Sequence, residues 1–233
     1  MVENAEPKAT PPPSPATVGS RDGVKLMQGF YLLFFGGLLS VVFALQMIIA
    51  LSLPAFLTPF SSGSLLMMLA GAWRLRQVRA LSREWTRATG WLLTATVLLV
   101  YLFPFVWAWR QAPRSLYFSC HAFAFLAMLI LTMMALSVAS AALARASGRL
   151  GLRRQMTLSL VSAAVLQLAP FCWLLFALLR QKHGEDAVLW LQSLVAAVPP
   201  FWMAIGLLPF ALSLSLAWTA KDIALEQLVE RKP

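Results

Sequence analysis

From Leu26 to Trp73 not one residue carries a charge. A soluble domain with about 25% charged residues does not sustain such a run. One membrane-crossing helix needs about 20 apolar residues, so the run holds two. The break between them falls at Pro54 and Pro59, with Ser61, Ser62 and Gly63 following. Helices are expected over about 25–52 and about 57–74.

The same reading extends along the chain. Further apolar segments lie at about 89–109 (with Pro104 inside), 115–145, 155–179 (with Pro170 inside) and 200–219. The stretch 187–219 exceeds one simple span, and Pro199-Pro200 divides it. Either 187–198 is a short interfacial or re-entrant helix before the last span, or the whole is one kinked, tilted helix. The expected fold is an all-α integral membrane protein, a bundle of six transmembrane helices over residues 24–219. Residues 1–23 carry Pro7, Pro11, Pro12, Pro13 and Pro15 and read as a disordered cytoplasmic tail. They lack the pattern of a cleaved secretory signal. Residues 220–233 read as a polar C-terminal tail, a frayed cytoplasmic helix. Of the 233 residues 60% are hydrophobic and 12% charged. That balance excludes an ordinary soluble enzyme, and it excludes disorder, which needs low hydrophobicity.

The formal net charge is +10, but the cations stand at the ends of apolar runs. No nucleic-acid-binding module is visible, so nucleic acid is not an expected partner; the lipid bilayer is. With both termini inside, inside segments hold all but four of the 19 Lys and Arg. The four outside are Arg110, Arg114, Arg180 and Lys182. This positive-inside bias predicts an N-in, C-in threading, and the compact loops fit a bacterial inner (plasma) membrane. Trp73, Trp91 and Trp218 fall at expected inner interfaces, and Trp107, Trp109 and Trp190 at outer ones.

None of the Asp or Glu residues lies in an expected span, which argues against a proton-coupled carrier. His121, beside Cys120, is the one histidine within a span. No second ligand at a suitable spacing accompanies it, so neither metal nor cofactor is expected. Cys120 and Cys172 both fall in the expected outer half, where a disulfide is geometrically possible if their helices touch; the preferred reading is two buried free thiols. Ser61, Ser62 and Ser64 with His121 supply the residue types of an intramembrane Ser/His dyad. The sequence around them is not of the rhomboid type, and the serines also suit a helix N-cap. No P-loop, zinc or dinucleotide motif is present. The chain is therefore not expected to be an enzyme.

The polar groups left inside expected spans include Gln46, His121, Gln167 and Gln192, which either line a polar path or hydrogen-bond between helices. Gly36, Ser40 and Ala44, and likewise Ser140, Ala144 and Gly148, form small-residue stripes that suit close helix packing. Arg74, Arg76, Arg79, Arg83 and Arg87 make a basic segment between the second and third spans. Its spacing allows a solvated loop or an amphipathic interfacial helix, and it offers a surface to a partner or to lipid headgroups. The expected function is that of a structural or accessory subunit of a membrane complex, packing against other subunits or as a homodimer. The alternative rests on layout alone. Six spans, inside termini, the basic segment and the divided last stretch resemble the topology of ABC-2-type exporter permeases. That resemblance implies a dimer driven by a separate soluble ATPase, for which residues 74–88 would be the contact.

Overall fold

The computed structural model describes residues 20–48, 58–78, 81–112, 115–148, 152–169, 171–172, 176 and 200–229. Every secondary-structure element among them is helical. α1 spans Ser20–Ile48, α2 Thr58–Gln77, α3 Arg83–Gln111, α4 Leu116–Ala146, α5 Leu152–Ala163 and α6 Pro200–Val229; a π-helical turn, Ala164–Leu168, continues α5. Among the described residues three stretches are long and apolar enough to cross a membrane: Arg21–Ala44, Arg83–Trp109 and Tyr117–Ala146.

The described parts of the expected windows 25–52, 57–74, 89–109, 115–145 and 200–219 overlap α1, α2, α3, α4 and α6 with shifted ends, and residues 155–168 of the window 155–179 lie on α5 and the π-helical turn. α1 already begins at Ser20, inside the segment expected as a tail. The described part of the segment 74–87 is divided between two helices and a non-helical connection at Val78, Leu81 and Ser82, with residues 79–80 outside the described residues. Arg74 and Arg76 complete the last turn of α2, and Arg83 and Arg87 begin α3. The reason is local: the Ser82 side chain accepts the backbone N–H of Trp85 at 3.0 Å, capping α3 well before its apolar run starts. The helix expected beyond 219 is continuous with α6, which runs on to Val229 with Ala220, Ile223 and Ala224 buried. Residues 1–19, 187–198 and 230–233 lie outside the described residues, and with them the choice between a re-entrant helix and a kinked one.

Five helices close a ring in which α1 packs on α2, α2 on α3, α3 on α4, α4 on α6 and α6 back on α1; α5 lies against α4 and α6. One cluster of apolar side chains fills the ring, from Leu26, Phe30 and Leu33 through Met68, Leu99 and Met133 to Leu136 and Leu143. The outside is apolar as well: Leu66, Trp91, Tyr101 and Val165 are all exposed. An exterior of that kind is compatible with a lipid surround.

α1 and α2 meet backbone to backbone. A Cβ on Gly36 would sit 2.8 Å from the Ser64 carbonyl oxygen and 2.9 Å from the Met68 nitrogen. A Cβ on Gly71 would sit 2.8 Å from the Gly29 carbonyl oxygen. Ser40 Oγ and Ser64 Oγ lie 3.1 Å apart across the same seam. The stripe on the first helix thus finds its partner within the chain, and glycine is needed there for space. The second stripe needs correction at its last member. Gly148 stands past the end of α4 with φ of +75°, and its N–H bonds the Arg145 carbonyl at 3.1 Å. It terminates the helix in the left-handed conformation that favours glycine.

Candidate functional site

Three buried serines meet where α4, α5 and α6 converge. Ser137 Oγ lies 3.0 Å from Ser159 Oγ and 2.9 Å from Ser213 Oγ, and the last two lie 3.1 Å apart. Ser137 also reaches the Met133 carbonyl at 3.2 Å, and Ser213 the Pro209 carbonyl at 2.9 Å. Each hydroxyl has a single proton, so three protons serve five contacts. Whichever way the hydroxyls rotate, every oxygen keeps a partner, as burial requires. Their partners here are one another and backbone carbonyls, none of which is a base that would activate a nucleophile. The cluster fastens three helices together.

The backbone beside this cluster is irregular in both facing helices. α5 widens into the π-helical turn Ala164–Leu168, after which the Ala169 N–H bonds the Ala164 carbonyl. Pro209 stands inside α6 and withholds the N–H that would bond the Ile205 carbonyl. Gln167, buried on the π-helical turn, spans the two: its Nε2 donates to the Gly206 carbonyl at 3.0 Å. Gln167 therefore holds helix to helix. Gln46 lies on α1 with its side chain outside the described set, and Gln192 lies outside the described residues.

His121 has partners of its own on α4 and α3. Its Nδ1 pairs with the Tyr117 carbonyl at 2.8 Å, and its ring stacks on Phe105 at 4.4 Å. Ser61, Ser62 and Ser64 lie inside α2 rather than ahead of it, and Ser64 donates to the Ser61 carbonyl at 2.8 Å. The structure gives Ser64 and His121 separate partners. Cys120 and Cys172 are free thiols; Cys120 is half-buried, while Cys172 is exposed rather than buried as expected. Trp109 differs from its expected place in an interfacial belt. It is buried, and its indole N–H donates to Ser119 Oγ at 3.0 Å.

The basic residues gather at one end of the bundle. There Arg74 donates to the Gln28 side-chain carbonyl, joining α2 to α1. Arg76 donates to the Thr86 carbonyl at 2.6 Å, joining α2 to α3. Arg145 pairs with Glu84 at 2.7 Å, joining α4 to α3. Gln227 of α6 donates to Ser147 Oγ just past α4 at 2.8 Å. Arg83 and Arg87 are exposed on α3, and Arg79 lies outside the described residues. Sequence reasoning treated these arginines as one patch; the structure divides them into internal ties and outward-facing cations. It also missed the Ser137–Ser159–Ser213 junction, for which the only signal was polar residues recurring within apolar helices.

Comparison with protein-family models, with curated proteins and with solved structures gives no match. The residues' own chemistry is the ground for a functional reading.

Proposed function

We propose that the chain is a multi-pass membrane protein of six spans with both termini cytoplasmic, acting as a structural or accessory subunit of a membrane complex. One observation carries this reading. The polar groups of the α4–α5–α6 junction are tied to one another, with Ser137, Ser159 and Ser213 mutually bonded and Gln167 bound to the Gly206 carbonyl. Polar groups paired in this way hold helices in place, whereas a solute path would keep them open to water. The gathering of Arg74, Arg76, Arg83, Arg87 and Arg145 at one end supports the threading, since cations collect on the cytoplasmic side.

Two measurements test it. Reporter fusions after Arg149 and at each terminus should all report the cytoplasm. Purification of the full chain in mild detergent should bring down at least one other integral membrane protein in fixed ratio. A reporter active outside at Arg149 overturns the threading. A chain that purifies alone and moves a solute across vesicles overturns the subunit role.

A further inference from the structure

We propose that the basic end of α3 binds one anionic phospholipid, with its phosphate between Arg83 and Arg87 and its chains along Trp91, Leu98 and Tyr101. The inference rests on the membrane reading above. Residues 83, 87, 91, 98 and 101 are all exposed and recur at helical spacing along one side of α3, with Trp91 73% and Tyr101 63% accessible. Arg83 and Arg87 stand one turn apart, with Cβ atoms about 5–6 Å from each other. That separation lets two guanidinium forks share one phosphate.

The carboxylate lying between them in sequence does not compete. Glu84 turns to Arg145, at 2.7 Å. Among the described residues neither Arg83 nor Arg87 has an ion-pair partner. Their neighbours Arg74 and Arg76 are occupied by Gln28 and the Thr86 carbonyl. The Arg76 guanidinium still lies across Gly90, 3.8 Å from where a Cβ would be, and adds positive field beside Trp91.

The order of residue types selects a lipid over a soluble anion. Trp91 lies about 6 Å further along the helix than Arg87. That is the step from phosphate to glycerol depth, where indole rings settle. Leu98 and Tyr101 then continue an apolar track that a soluble anion would not use.

Native mass spectrometry of the full chain in mild detergent, titrated with phosphatidylglycerol or phosphatidylcholine, tests the site. One phosphatidylglycerol should be retained in preference to phosphatidylcholine. At about fivefold per arginine, Arg83→Gln with Arg87→Gln should weaken it by about 25-fold. Arg83→Lys with Arg87→Lys should weaken it less, because charge remains without the fork. Arg21→Gln with Arg154→Gln removes the same charge from other exposed positions and should leave binding within about threefold. An equal loss in that control pair, or no preference between the lipids, overturns the site. So does unchanged lipid binding in the Arg83/Arg87 variant accompanied by loss of a co-purifying protein. Flotation with vesicles separates the two failures: a chain that does not float refutes the membrane reading, and one that floats without lipid preference refutes the site alone.

Discussion

The indole N–H of Trp85 donates to the carbonyl of Val78 at 2.6 Å, from one side of the α2–α3 corner to the other. Val78 follows the last turn of α2, where carbonyls lack helical partners. Trp85 is fully buried and faces the Phe30 ring at 6.3 Å. One side chain thus satisfies an orphan acceptor and plugs the end of the α1–α2–α3 packing.

Trp85→Phe keeps most of the volume and leaves the Val78 carbonyl without its donor. A cost of about 1–3 kcal/mol is expected. Trp85→Ala also opens a cavity and should cost about 3–5 kcal/mol. Thermal unfolding in detergent, followed by circular dichroism, orders the two. Equal stability of Trp85→Phe and the natural chain would show the hydrogen bond to be without consequence.

Glycines in the described helices divide sharply by what surrounds them. Gly36→Ala and Gly71→Ala would push a Cβ to 2.8 Å from backbone oxygens of the facing helix. The two helices must separate, at about 1–3 kcal/mol each. Gly63 and Gly206 have nothing within 4 Å of a Cβ. Alanine there should be neutral or stabilising by up to about 1 kcal/mol, through helix propensity alone. Melting temperatures of the four variants give the comparison, and a stable Gly36→Ala would refute the close approach of α1 and α2.

The apolar segments were legible in the sequence because long uncharged runs show their length and separators directly. Helix ends were less legible. Arg83 and Glu84 look like loop residues, yet a cap at Ser82 starts α3 there. Beyond 219 the sequence predicts a helix, but a frayed one; its packing was written in Ala220, Ile223, Ala224 and Gln227, an i, i+3, i+4, i+7 pattern. The serine junction was beyond reach. Ser137, Ser159 and Ser213 meet only through the register of three separate helices.

Within that junction, loss of one hydroxyl leaves the other two paired. Ser137→Ala, Ser159→Ala and Ser213→Ala should each cost about 0.6 kcal/mol, the usual scale for hydrogen bonds between helices in lipid. The double variant Ser137→Ala/Ser213→Ala should differ from the sum of its singles, because both lose the same shared bond. Strict additivity in a double-mutant cycle, read by unfolding in detergent, would deny the network.

Gly148 isolates a purely conformational cost. Its φ of +75° disfavours any residue with a Cβ, while nothing stands within 4 Å to obstruct one. Gly148→Ala should therefore destabilise by about 1–2 kcal/mol without any clash. Gly148→Asn should recover part of this, since asparagine tolerates the left-handed region. The Gly148 N–H bonds the Arg145 carbonyl, and Arg145 holds Glu84, so fraying here should also loosen the tie between α4 and α3. Hydrogen exchange at the last turn of α4 should rise in Gly148→Ala and rise less in Gly148→Asn. Equal exchange in both variants would mean that α4 ends by some means other than this turn.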